Sequence, residues 1–272
     1  MDLTVKRRGF LSIAKIGWGF LSASSLLLLA GPTASSPSPT ITNTTEYAIT
    51  IAGLSLAKAS FQTVIDGRTF QIQGSFRTTG LARLFKRVEG TANVSGRVKG
   101  NAFVPTDYKS DYVAGKDHKV FTIAFADRGV KSFKAEPGIN PLPANWVAVT
   151  PAILASVVDP LSGLILPADK PLCTGTISVF DGEAVTALQL TEKGDKTYKT
   201  GDQQLAAHIC GLTVAPTAGY RKGRSDMDYV ARLKGMEIWF AKSPVAAVYA
   251  PVRIVAPTSF GKFEIAATRF SS

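Results

Sequence analysis

Two histidines, His118 and His208, are the only ones in the chain, and Cys173 and Cys210 are its only cysteines. A histidine serves as a general base or metal ligand when a carboxylate or a second ligand stands at a suitable offset. Neither histidine has such a neighbour along the chain, so each is expected to be a partly exposed strand residue. Asp107, Asp111 and Asp117 form a loose acidic stretch. They lack the tight spacing and central glycine of a calcium loop, and a solvated strand face is the plainer expectation. Ser110 and Ser225 have no evident base partner. No G-x-S-x-G elbow, Walker loop or dinucleotide fingerprint occurs. These residues call for no metal and no cofactor, and the chain is expected not to be an enzyme.

In an oxidising compartment a lone pair of cysteines reads first as a disulfide. Joining Cys173 to Cys210 closes a loop of about 38 residues. Loop entropy alone would then contribute at most roughly 4 kcal/mol. A metal pair or a redox couple are the alternatives, and no close C-x-x-C spacing supports either. The basic loop Arg221-Lys222-Gly223-Arg224, with Arg232 and Lys234 soon after, is a second candidate. Its ordinary reading is a solvated, charged turn. Its functional reading is contact with phosphate or carboxylate groups at an anionic envelope surface.

The elements that must position these side chains are strands. After a polar Ser/Pro/Thr linker over residues 36–45, the chain alternates with period two. Tyr47, Ile49 and Ile51 point one way, and Ala48 and Thr50 the other. Ala57, Ala59, Phe61, Thr63 and Ile65 lead into Asp66-Gly67, after which Phe70, Ile72 and Phe76 follow. Two alternating runs joined by Asp-Gly predict a hairpin, because the turn needs positive φ and glycine supplies it. Residues 80–85 read as a brief helical or irregular crossing. Strands are predicted over 88–99, 102–113, 119–126 and 130–134, with Asp127-Arg128-Gly129 as a turn.

Pro137, Pro141 and Pro143 then interrupt any ladder. Thr150-Pro151 reads as an N-cap followed by proline at the first helical position. Ile153, Leu154, Val157 and Val158 fit a short amphipathic helix ended by Asp159-Pro160, the one helix expected past the leader. A second Asp-Gly hairpin is predicted at 176–180 and 184–190. Further strands are expected near 204–214, 227–234, 237–241, 252–256 and 263–270. The fold class is therefore all-β: a single curved antiparallel sheet, or an open barrel or β-spiral, with one short helix. Residues 46–272 are expected to form one domain.

Residues 1–35 are set apart as a cleaved signal peptide. Lys6, Arg7 and Arg8 form a basic region, an apolar run from Ile16 to Ala30 follows, and small residues offer a cleavage zone. That run is shorter than the roughly twenty residues needed to span a bilayer. No cysteine near the cleavage zone invites a lipid anchor. Arg7-Arg8-Gly9-Phe10-Leu11 also resembles a twin-arginine signal, although Lys6 stands where Ser or Thr is usual. The general secretory and twin-arginine routes both lead to the periplasm.

The whole chain carries a formal charge of +11, and about +8 remains once the leader is removed. Such an excess favours anionic surfaces such as phospholipid headgroups, so peripheral membrane contact is expected. Nucleic acid is not an expected partner of an exported protein. Fifteen phenylalanines, with Tyr47, Tyr112, Trp146, Trp239 and Tyr249, either fill a packed barrel or line an apolar groove of the lipocalin kind.

Taken in order along the chain, several segments resemble an exported Gram-negative family, domain of unknown function 3108. They are Cys173, Thr176–Phe180 with Asp181-Gly182, Cys210, and Pro216-Thr217-Ala218-Gly219-Tyr220. Asp159-Pro160-Leu161-Ser162 after a short helix, and Pro105 with Tyr108, fit the same pattern. The likeness spans roughly residues 45–270. It implies a periplasmic β protein whose two cysteines are disulfide-bonded. More distantly, the chain is similar to envelope-integrity proteins that wrap an open spiral of antiparallel strands around a helix. The resemblance brings no catalytic residues with it.

The leading expectation is a non-enzymatic periplasmic protein that supports the cell envelope. It would bind a lipid, lipoprotein or peptide along its curved sheet. One alternative is a scaffold that binds envelope proteins by strand-edge pairing. The weakest is a hydrolase of envelope polymers using His118 or His208.

Overall fold

A computed structural model describes residues 40–271, except 81, 127, 128, 139, 140 and 224. The expected leader over 1–35, the Asp127-Arg128 part of one turn, and Arg224 of the basic loop lie outside the described residues.

Period-two segments become strands because alternation lets one face bury apolar side chains while the other meets water. The first half contains β1 (Ile41–Ile51), β2 (Leu54–Asp66), β3 (Thr69–Thr78), β4 (Val88–Lys99), β5 (Ala102–Ala114), β6 (Asp117–Phe125) and β7 (Val130–Glu136), with α1 (Ala82–Phe85) between β3 and β4. A crossover follows with β8 (Trp146–Val147), α2 (Pro151–Leu154), a 3-10 turn (Ser162–Leu164) and β9 (Leu166–Pro167). The second half contains β10 (Thr176–Phe180), β11 (Val185–Thr200), β12 (Gln203–Ala218), β13 (Tyr220–Arg221), α3 (Ser225–Arg232), β14 (Met236–Lys242), β15 (Val248–Thr258) and β16 (Gly261–Ser271).

All but two short strands join one large sheet, in the order β10-β11-β12-β14-β15-β16-β1-β2-β3-β4-β5-β6-β7, with β9 added to β15. Every ladder in it is antiparallel. The pairing of β1 with β16 brings the two halves of the chain together at the centre of the sheet. The sheet does not close, because no ladder joins β7 to β10. The two edges nevertheless meet through side chains: Lys119 Nζ lies 2.8 Å from Glu183 Oε2, and the rings of Phe133 and Phe180 meet edge to face. On the other side of the curl, Tyr198 and Thr200 of β11 donate to the carbonyl of Ala267 in β16, at 2.8 and 2.9 Å.

Curvature has local causes. Register shifts at Glu46/Tyr47, Ser95/Gly96 and Trp239/Phe240 insert bulges that bend the strands. Glycines let aromatic rings lie flat on neighbouring strands. A Cβ at Gly74 would come 2.5 Å from the Phe61 ring, and one at Gly96 would come 2.6 Å from the Phe70 ring.

The Asp66-Gly67 hairpin forms as predicted, with Asp66 opposite Thr69 and Gly67 at φ +56°. The Asp181-Gly182 hairpin also forms, its turn held by Asp181 Oδ1, which accepts from the amides of Glu183 and Ala184. Three expectations need correction. Residues 41–45 belong to β1 and pair with 61–65 of β2, so the polar linker expected through Thr45 is shorter. The segment read as a strand over 227–234 is helical through Arg232 as part of α3, with Tyr229 and Val230 of the helix and Leu233 just after it over an apolar space. α2 stops at Leu154, and Val158 instead bridges Val179 in parallel. α1 falls within the crossing expected over 80–85, so α3 is the helix that was not anticipated.

Candidate functional site

The inner face of the sheet is not completely filled. Alternate residues of β1 (Asn43, Thr45, Tyr47, Ile49) and of β2 (Ala59, Phe61, Thr63) form one wall of a cavity of about 370 Å³. Its roof is the crossover segment, through Pro160, Leu161, Leu164 and Ile165. Its volume lies in the range of about 300–1,000 Å³ usual for ligand pockets. A second apolar space of about 400 Å³ adjoins it, sharing Leu164 and Ile254 and lying under Tyr229 and Val230 of α3 and Leu233 just after it. Toward the opposite end of the strands only a gap of about 30 Å³ remains, lined by Phe103, Val248 and Phe270 among others. The interior is thus a trough, wide under α3 and pinched at the far end.

The roof is held by a buried acid. Asp159 is fully buried, and its Oδ1 accepts from the amides of Leu161 (2.8 Å) and Ser162 (2.9 Å). Its other oxygen accepts from the Ser162 hydroxyl. Burial pushes the Asp159 carboxyl above its usual value, and these hydrogen bonds offset part of that shift. Asp159-Pro160-Leu161-Ser162 is therefore a capped turn that presents Leu161 and Leu164 to the trough.

Polar side chains inside the trough are few. The Tyr47 hydroxyl donates to the carbonyl of Pro251 at 2.5 Å, and burial raises its pKa. Thr45 Oγ1 donates to Asn43 Oδ1 at 3.3 Å. Asn43 Nδ2 is buried and without a hydrogen-bond partner. Among the described residues it is the one buried side-chain nitrogen or oxygen in that state. Leaving such a group unsatisfied costs about 1–3 kcal/mol.

The residues singled out from sequence fall elsewhere. Cys173 and Cys210 form a disulfide that ties the crossover to β12 within a cluster containing Leu190, Ile238 and Phe240. It implies folding under oxidising conditions. His118 Nε2 lies 2.8 Å from Asp111 Oδ1 across the β5–β6 pair, and His208 contacts Asp195 across β11–β12. Sequence spacing did not reveal these carboxylates, because strand register, and not chain offset, brings them together. Both histidines are more than a third exposed, and no group of three or more His, Cys, Asp or Glu side chains converges among the described residues. Asp107 lies on β5 and Asp117 begins β6, as a strand face would have it. Arg221 pairs with Trp146 in the small β8–β13 sheet, and the Lys222 amide donates to the Asn145 carbonyl. Both basic side chains are exposed.

Sequence reasoning anticipated a greasy inner face and named Tyr47, Ile49, Ala59 and Phe61 on it, but missed Asn43. That residue sat in a segment read as linker, where its polar type gave no reason to place it in a ladder. No helix among the described residues is long and apolar enough to cross a membrane. The family model described as a protein of unknown function (DUF3108) matches residues 46–268, and the chain belongs to that family. No curated protein and no solved structure matches the chain.

Proposed function

We propose that this member of the DUF3108 family is an exported, non-catalytic envelope protein that holds the apolar chain of a lipid, or of a lipoprotein's acyl group, in its trough. The observation that carries the reading is the apolar cavity of about 370 Å³ between β1, β2 and the crossover, with Asn43 among the few polar residues that line it. An acyl chain suits the walls, and each buried methylene contributes roughly 0.8 kcal/mol. A carbonyl or ester oxygen suits the amide. The disulfide supports an oxidising destination, and the basic leader supports export to the periplasm.

Strand-edge binding of another protein is less favoured. The β10 edge is occupied by Val158, whose amide and carbonyl bond to Ser178 and Phe180. The β7 edge carries Lys131 and Lys134, the kind of charge that blunts edge pairing.

The test uses the mature protein and a fluorescent fatty acid, with mass spectrometry of lipid that copurifies. Ala59→Trp and Ile265→Trp each place an indole in the trough and are expected to weaken probe binding at least tenfold. Unchanged binding in both folded variants would remove the trough as the site. For the envelope role, deletion of the gene is expected to lower detergent tolerance, and a strain of normal tolerance would remove that part of the reading.

A further inference from the structure

The four most exposed large hydrophobic side chains among the described residues are Phe85 (90%), Leu84 (81%), Phe260 (77%) and Leu54 (64%). They come from three separate connections, yet those connections are neighbours. The β15–β16 turn carrying Phe260 touches the β1–β2 turn, where the Ala52 amide donates to the Lys262 carbonyl at 2.9 Å. Leu54 begins β2 directly after that turn. The next connection, with α1, is joined to the start of β2 by the Thr79 amide on the Leu56 carbonyl (2.8 Å) and by Ser55 Oγ and Thr79 Oγ1, 2.9 Å apart. Beyond it, the Gly115 amide of the β5–β6 turn donates to the Arg87 carbonyl at 2.8 Å. On the other flank, the Tyr229 hydroxyl of α3 accepts from the Ser259 amide at 2.8 Å. One arc thus runs from α3 to the β5–β6 turn along a single end of the strands.

Cations alternate with the apolar tips on this arc. Arg83, Lys86 and Arg87 surround Leu84 and Phe85, Lys116 caps the β5–β6 turn, and Lys234 follows α3; all are exposed. Glu89 is hydrogen-bonded to Arg87, and with Arg83 and Arg77 also nearby its carboxyl is held below the usual range. Exposed aromatic and aliphatic tips set among arginines and lysines match the interfacial region of a bilayer with anionic headgroups, where apolar tips enter the acyl boundary and cations meet phosphates.

We propose that this arc is a membrane-docking rim, which seats on an anionic phospholipid bilayer with Leu54, Leu84, Phe85 and Phe260 inserted. The wide end of the trough lies under α3 on the same rim, between Tyr229 and Phe263, so docking presents the trough to the lipid layer. The rim's purpose rests on the trough being a lipid site, but its geometry does not, and the two are separable by experiment.

The mature protein is mixed with vesicles of phosphatidylethanolamine and phosphatidylglycerol, and separately with phosphatidylcholine vesicles, and bound fractions are read by sedimentation. Binding to the anionic vesicles is expected, with at least a tenfold preference over the neutral ones. Leu84→Ser with Phe85→Ser, and separately Phe260→Ser, should each weaken it at least tenfold, while Arg68→Glu at the other end of the strands leaves it unchanged. Phe85→Trp should shift its emission to the blue on the anionic vesicles. Absence of wild-type binding, equal binding to both vesicle types, or unchanged binding in the serine variants overturns the rim. The fluorescent fatty acid, added without vesicles, should bind those variants as it binds the wild type. Loss of that binding in folded protein would show that Leu84, Phe85 and Phe260 serve the trough and not the rim.

Discussion

The two ends of the sheet are built alike and finished differently. Gly53, Gly80 and Gly115 turn the chain at one end, and Gly67, Gly100 and Gly201 at the other, all with positive φ. Both ends also carry cations, Arg68 and Lys199 at the far end among them. The backbone problem and its solution are therefore the same. Yet Leu54, Leu84, Phe85 and Phe260 all stand in water at one end, whereas at the other Phe103, Val248 and Phe270 are buried and close the interior. Turn chemistry does not ask for large apolar side chains at a tip, so folding gives no reason for their presence at one end, which is what the proposed membrane rim requires.

Phenylalanine truncation breaks this comparison most directly. Phe70 is buried and stacks on Phe103 with ring centroids 4.5 Å apart, so Phe70→Ala should cost about 3–5 kcal/mol in chemical denaturation. Phe260→Ser, at the other end, should change stability by less than about 0.5 kcal/mol. Comparable losses at both sites would mean that the exposed tip is part of the core.

The disulfide ties down the crossover that roofs the trough. Cys173→Ser should lower stability by up to about 4 kcal/mol, the loop-entropy limit, and weaken fatty-acid binding by loosening the crossover. Free thiol in unreduced, denatured wild-type protein would contradict the bridge. Asn43→Leu, toward the pinched end, removes an orphan donor but also takes the acceptor from the buried Thr45 hydroxyl, so stability should change by less than about 1 kcal/mol. It should also weaken binding of an ester-bearing lipid more than that of a plain hydrocarbon. Equal weakening would dissociate Asn43 from the ligand's polar group.

Asp159 offers the smallest effect, visible as a pH dependence. Burial raises its folded pKa above the usual 3.8, so the folded protein holds that proton more tightly than the unfolded chain. The resulting stabilisation is full below the unfolded value and is lost as pH rises through the folded one. Stability of the wild type relative to Asp159→Asn should therefore fall across that window and level off above it. A difference that grows with pH would reverse the sign assigned to the burial.

Much of the fold was legible in the residues. Alternation along 47–51, 57–65 and 119–125, and the two Asp-Gly turns, determined an antiparallel sheet, because period two and positive φ are local demands. The segment 227–234 was misread because so short a run of mixed residues satisfies either period, and only the apolar space beneath α3 decides for the helix. The thiols were assigned to each other by type and number. The pairing of His118 with Asp111 was not, since it depends on register.

By itself, the sequence determined strands, turns and a disulfide, each of which follows from the properties of neighbouring residues or from there being just two cysteines. Tertiary structure alone decided that the sheet curls without closing, that Asn43 faces an unfilled interior, and that apolar tips from three distant connections share one end. Those facts depend on which strands lie side by side, and β1 meets β16 across more than two hundred residues, a distance over which no local pattern carries information.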